Sequence, residues 1–253
     1  MCSISRRNGV NTKESGILMK FLKLQKDEKL IKDVISKIDY SNALIPNCTE
    51  ELLIRTCEEA LQYGFAAVAV FPDCVDIIVK RLEGSSVHSQ VAVGFPMGNH
   101  KTETKLLEAK IALEAGVREV DMVMNLHRFF NEEYSYVQEE VQQMVELAAQ
   151  YGVKVKLIIE TGYLSDKQKL IAGEIAVNSG AGFIKTCTGF GPGRATVHDV
   201  GLLLDAYGDR IKVKASGGIA SLDDAAGFIS MGASRSAGRY CIIEQLTRMG
   251  YQT

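Results

Sequence analysis

Short apolar runs alternate with longer amphipathic stretches along most of the chain. Runs of strand length lie at 38–42, 65–71, 90–95, 119–125, 154–160, 182–188 and 211–216, with a weaker eighth at 234–238. Between them fall helical patterns such as TEELLIRTCEEALQYG, KTETKLLEAKIALEAG, VQEEVQQMVELAAQYG and SDKQKLIAGEIAVNSG. Each of these ends in Gly, the residue that most easily adopts the left-handed backbone that stops a helix. Residues 20–38 also have helical spacing with no Gly or Pro, which predicts an extra helix before the first strand.

Eight strands, each followed by a helix, over about 215 residues are the arithmetic of an α/β fold of the (β/α)8 TIM-barrel type. A doubly wound open sheet is the rival, but it normally has fewer strands and a Gly-rich first turn. Neither GxGxxG nor GxxxxGK[ST] occurs, so nucleotide binding by those routes has no support. No Pro-, Gly- or Ser-rich linker and no internal repeat divides the chain. The expected organisation is a flexible N-terminal tail at 1–19 and one barrel domain at 20–253.

Composition narrows the chemistry. The 29 basic and 31 acidic side chains leave a net charge of −2, which gives no push toward nucleic acid or a membrane surface. The six cysteines form no CxxC pair and the four histidines are scattered, so no metal site is expected. The chain shows no signal-like N-terminus and no run of about 18 apolar residues, which predicts a cytoplasmic protein with reduced thiols.

In a TIM barrel the chemistry sits at the C-terminal ends of the strands, so polar residues inside strands carry information. Three candidate strands hold them: Asp121 in EVDMVMN, Lys185 in GFIKTCT, and Lys214, with Lys212 before it, in IKVKASGG. A lone strand lysine is most often at an edge or snorkelling. Strands six and seven are neighbours, however, which brings Lys185 toward Lys214. Two ammonium groups about 5 Å apart at an effective dielectric near 20 repel by roughly 3 kcal/mol. That repulsion lowers a lysine pKa by about two units, and burial acts in the same direction. The neutral amine so populated can add to a carbonyl and form a Schiff base.

The motifs EVDMVMN, KLIIETGYL, GFIKTCTGFG, ATVHDV and KASGGI, in that order, resemble the deoxyribose-phosphate aldolases. GFPMGNHKTETKLLEAKIALEAG and YGFAAVAVFPDCV are similar to the same family, and the likeness runs from about Tyr40 to Gly232. The resemblance implies a class I aldolase that interconverts 2-deoxy-D-ribose 5-phosphate with acetaldehyde and D-glyceraldehyde 3-phosphate. It implies Lys185 as the Schiff-base lysine, Lys214 as the second lysine and Asp121 as the carboxylate, with no cofactor and no metal. Gly189, Gly217 and Gly218, in the turns after strands six and seven, are the expected phosphate contacts, and Thr188 is also expected to bind substrate. Relatives in this family are often dimers or tetramers, so the expected partners are a small phosphorylated sugar and further copies of the chain.

Two departures qualify the resemblance. Where the family usually reads like GASRIGAS, this chain has GASRSAGRY, and Arg239 stands near the place of a small hydroxyl residue. A guanidinium there can bind phosphate bidentately, fill the pocket or mark another substrate. Near the first strand, DHTLLKP becomes DYSNALIP. Lys156 and Glu160 match the family and are expected to support the site or form a structural ion pair. The alternatives are a related lysine-dependent aldolase or thiolase acting on another phosphorylated sugar, and a catalytically silent barrel with a binding role.

Overall fold

A computed structural model describes residues 27–251. The expected tail at 1–19 and the first part of the predicted N-terminal helix lie outside the described residues. The helix itself, α1 (Glu28–Ile35), starts where the Asp27 side chain accepts from the Leu30 N–H, and it buries Ile31, Val34 and Ile35. It stops short of residue 38 because Ile38 opens the first strand.

From there strand and helix alternate: β1 (Ile38–Tyr40), α2 (Glu50–Tyr63), β2 (Ala67–Val70), α3 (Val75–Arg81), β3 (His88–Val93), α4 (Thr102–Glu114) and β4 (Glu119–Val123). Then come α5 (Leu126–Phe130), α6 (Tyr134–Ala149), β5 (Lys154–Ile158), α7 (Asp166–Asn178), β6 (Phe183–Lys185) and α8 (Val197–Tyr207). The series ends with β7 (Lys212–Ala215), α9 (Leu222–Met231), β8 (Arg235–Gly238) and α10 (Tyr240–Arg248). The strands are all parallel and close in chain order into one barrel, β8 pairing back on β1 through Ile38–Ser236 and Tyr40–Gly238. This is the (β/α)8 barrel with an added N-terminal helix.

Local chemistry sets the element ends. Thr49 caps α2 by accepting from the Leu52 N–H, and Gly64 stops it in the left-handed region at φ 71°. Ser165 and Gln168 close a reciprocal capping box on α7. All strands but β3 are shorter than the apolar runs that mark them, and β3 keeps six residues but begins earlier, at His88. β6 ends at Lys185 because Thr186 turns its hydroxyl to the next strand, donating to the Ser216 carbonyl at 2.7 Å and accepting from the Ser216 N–H at 2.9 Å.

Side chains two apart on a strand share a face, and here the two faces differ sharply. Val120, Met122, Leu157, Ile184 and Val213 point outward beneath the helices and are fully buried. Their neighbours Asp121, Lys156, Lys185 and Lys214 point into the barrel. Instead of the usual branched aliphatic filling, the barrel's axis is packed with charge.

Candidate active site

The register places the charged residues in pairs: Asp121 lies opposite Lys156 across β4 and β5, and Lys185 opposite Lys214 across β6 and β7. Asp121 Oδ2 accepts from Lys185 Nζ at 2.7 Å and from Lys214 Nζ at 2.8 Å. Lys214 Nζ also lies 2.5 Å from Asp39 Oδ2 on β1. Lys156 Nζ donates to Asp39 Oδ2 at 3.0 Å, to Gln90 Oε1 at 2.9 Å and to Glu119 Oε2, and stands 3.3 Å from Asp121 Oδ1. Arg235, on β8, donates to Asp39 Oδ1 and, at 2.6 Å, to Glu119 Oε1. Glu119 Oε1 is also 3.0 Å from His88 Nδ1 at the N-terminal mouth.

Burial of charge is costly unless charges are paired, and the pairing sets each proton affinity. Burial would raise the carboxyls of Asp39 and Asp121, but the surrounding lysines, with Arg235 beside Asp39, outweigh it and hold both below the ordinary range. Burial likewise works against the Lys156 ammonium, yet Asp121, Asp39 and Glu119 prevail and raise its pKa. In Lys214 burial wins. Helped by the Lys156 and Lys185 charges, it pushes the pKa down to about 8 against the pull of Asp121 and Asp39.

Above this network, at the C-terminal end of the strands, opens a cavity of about 210 Å³. Its lining includes Lys185, Lys214, Thr188, Gly189, Gly217, Gly218 and Arg239, so seven of the residues singled out in the sequence meet around one space. Asp121 does not line it; it lies beneath, joined to both lysines. Gly217 and Gly218 have φ of 93° and 69°, and a Cβ on them would strike Cys187 and Arg194 at 2.7 Å. Glycine is therefore required there by the backbone as well as available to a ligand. Thr188 is fixed from below, where Glu160 Oε2 accepts from its N–H at 3.0 Å and from its hydroxyl.

The expected supporting roles separate. Lys156 is wholly buried among the three carboxylates, whereas Glu160 holds the loop that carries Thr188. Lys212 shares the inward face with Lys214 but is exposed at the other mouth, 5.6 Å from the centre of the Phe183 ring. Asp39 and Arg235 went unmarked in the sequence, as did Ser41 in the cavity wall, whereas Ser216 opens the SGGI turn expected to hold the phosphate. The signal for Asp39 was present as a carboxylate inside the run SKIDYSNALI, but the three-residue β1 offers too few positions for alternation to show. Among the described residues, Asp166, His198 and Asp199 have metal-ligand spacing, but Lys169 already binds the two aspartates at 2.9 and 2.6 Å.

The profile of the DeoC/LacD family aldolases matches residues 33–241. The chain belongs to this family. Among curated relatives, it is 43% identical over 231 residues to the deoxyribose-phosphate aldolase of Caldanaerobacter subterraneus subsp. tengcongensis, covering 90% of this chain and 99% of that one. It is 43% identical over 206 residues to the enzyme of the same name from Thermococcus kodakarensis, covering 81% and 92% of the two chains. The tetrameric structure of deoxyribose phosphate aldolase from Aeropyrum pernix superposes with a TM-score of 0.79 at 32% identity, covering 88% of this chain and 92% of that one. The aldolase segment spans every strand of the barrel, and so holds all of the ion network and the cavity above it.

Proposed function

We propose that the enzyme cleaves and forms 2-deoxy-D-ribose 5-phosphate by a Schiff base on Lys185, with acetaldehyde as donor and D-glyceraldehyde 3-phosphate as acceptor. The observation that carries this is the single oxygen, Asp121 Oδ2, that accepts from both lysines at 2.7 and 2.8 Å. The names of the curated relatives support the substrate.

Charge balance supports a free amine. The network holds four cationic side chains (Lys156, Lys185, Lys214 and Arg235) against three carboxylates, Asp39, Glu119 and Asp121. Removing one proton makes the buried group neutral, which low-dielectric surroundings favour. When Lys214 is the neutral amine, Asp121 Oδ2, which accepts from both lysines, is the path by which a proton passes from Lys185 to Lys214 and leaves the free amine on Lys185.

The Lys185 amine adds to the carbonyl of acetaldehyde, giving a carbinolamine. Lys214, with a pKa near 8, donates a proton to the departing hydroxyl, and water leaves an iminium. The neutral Lys214, or Asp121 through a water, takes a proton from the adjacent methyl group to give the enamine. The enamine carbon attacks the acceptor aldehyde, whose oxygen takes the proton back. Water then hydrolyses the new iminium and frees Lys185.

The acceptor phosphate is assigned to the cavity rim at Gly189, Gly217, Gly218 and Arg239, beside the start of α10 at Tyr240. Arg239 makes no side-chain capping bond, so its guanidinium is available to an anion. That substitution also favours a second reading, another phosphorylated aldehyde as acceptor, which a substrate panel separates. We further place the enzyme in the cytoplasm, where phosphorylated sugars are retained, as a dimer or tetramer. Leu107 and Ile111, one turn apart on α4 and 58% and 60% exposed, support self-association, which sedimentation tests.

The deciding experiment is intact-mass analysis after mixing with acetaldehyde and sodium borohydride, beside a Lys185→Ala control. A gain of one ethyl group, absent in the control, is expected. No gain in the parent protein sinks the Schiff-base reading.

A further inference from the structure

A second, larger cavity of about 370 Å³ opens on the same end of the barrel, on the far side of the 188–193 loop. Pro96, Met97 and Asn99 after β3 contribute to it, with Phe130 and its neighbours on α5, Glu160 and Tyr163 after β5, and Gly191. Nothing in the aldol chemistry uses it. Its volume is that of a small-molecule site.

The walls specify a ligand class. Met97, Phe130 and Tyr163 are 57%, 46% and 47% exposed, an uncommon gathering of large apolar groups around one hollow. Such side chains stack on flat rings. Asn99 spends its carbonyl on the His127 N–H at 3.0 Å, and Asn131 its amide on the His127 carbonyl at 2.9 Å. That leaves the Asn99 amide and the Asn131 carbonyl for a ligand with both donors and acceptors. Among the described residues, no lysine or arginine lines the cavity. Its one buried polar residue is Glu160, 1% exposed, whose Oε1 has no hydrogen-bond partner. A buried acceptor left unpaired is costly, and a donor arriving from the cavity relieves it. Gly191 covers this oxygen with backbone alone, and a Cβ there would stand 3.1 Å from it, so only a thin cover separates it from an incoming donor.

We propose that this cavity binds a flat heteroaromatic molecule without a phosphate, of the purine base or nucleoside kind, and that its occupancy is transmitted to the reaction cavity. The transmitting residue is Glu160. Its Oε2 holds the Thr188 N–H and hydroxyl, while its Oε1 is buried without a partner in a residue that also borders the second cavity. Glu160 also sits in the left-handed region, at φ 52° and ψ 64°, a conformation that non-glycine residues hold only when their surroundings fix it. A ligand that draws on one oxygen therefore shifts the loop held by the other.

The test is calorimetric titration of the full chain with adenosine and, separately, with adenosine monophosphate, for the parent and for Phe130→Ala. Saturable adenosine binding is expected. The monophosphate should bind at least tenfold more weakly, because its charge meets Glu160 and no cation. Phe130→Ala should weaken adenosine at least tenfold while leaving aldol turnover without adenosine unchanged. Adenosine should change the turnover or KM of the parent and not of the variant. Absence of heat to the solubility limit, or equal binding of the monophosphate, overturns the site. Loss of an oligomer in Phe130→Ala with no adenosine heat overturns it too, by giving the patch to a second copy. Binding with unchanged kinetics overturns the coupling through Glu160.

Discussion

Lys156 and Lys214 stand on alternate strands of one barrel, both sealed from water, and both within 3.0 Å of Asp39 Oδ2. Their proton affinities nevertheless move in opposite directions, up for Lys156 and down to about 8 for Lys214. Burial opposes the charge on each, so the neighbours decide. Lys156 meets three carboxylates and the Gln90 amide oxygen, and those carboxylates outweigh the opposing charge of Arg235. Lys214 meets two carboxylates and is flanked by two ammonium groups. One residue type thus does two jobs in one interior: Lys156 holds the carboxylates together, and Lys214 can give up a proton near neutral pH.

The two lysines should respond differently to removal. Lys156→Met takes away the cation shared by Asp39, Glu119 and Asp121, leaving buried carboxylates underpaired. Urea unfolding should show a loss of about 3–5 kcal/mol. Lys214→Met leaves Asp39 with Lys156 and Arg235, and Asp121 with Lys156 and Lys185. It also removes a charge that the fold disfavours. Its stability should stay within about 1 kcal/mol of the parent or rise, while kcat falls about 100- to 10,000-fold, as for loss of a positioned acid. Equal destabilisation by the two substitutions would remove the distinction.

Solution pH separates them without mutation. Lys214 titrates near 8 in the folded chain and at 10.5 unfolded, so between these values the unfolded chain holds the extra proton. Stability from this group therefore rises with pH across that window, by about 3 kcal/mol in all. Lys156 has the opposite sign: its contribution is complete below 10.5 and is lost only as the pH climbs above that value. Unfolding measured from pH 7 to 10.5 should show a rising component that Lys214→Met flattens. At the acid end, Asp39 and Asp121 stabilise the fold above their ordinary value of 3.8, and that contribution fades as pH falls below it.

The same contrast explains what was legible in the sequence. A lysine or aspartate inside an apolar strand stands out because burial is costly, and Asp121, Lys185 and Lys214 announced themselves that way. The outer faces of β3 to β7 are aliphatic enough that eight strands and a barrel follow from alternation. The network's other half left little trace. Asp39 sits in a strand of three residues and Arg235 in the weak β8, where alternation has no room to show. The opposite shifts of Lys156 and Lys214 were out of reach of the sequence altogether. They depend on which carboxylates converge from β1 and β4, a matter of barrel closure. The helices α3 and α5, of seven and five residues, are likewise too short for a period to mark.

Arg239 is an exposed cation on the cavity rim, with water to screen it, where Lys156 and Lys214 have none. An exposed guanidinium bound to phosphate contributes at the low end of charged hydrogen bonds, about 1.5 kcal/mol. Arg239→Ser should therefore raise KM for the phosphorylated substrate about tenfold, and added salt should erase much of the difference between parent and variant. Borohydride trapping of acetaldehyde, which carries no phosphate, should be unaffected. A variant with lower KM would mean that the arginine fills the pocket, and the substrate panel would then decide which aldehyde it was shaped for. A loss of acetaldehyde trapping would mean that Arg239 reaches Lys185, and that the rim and the buried network act as one.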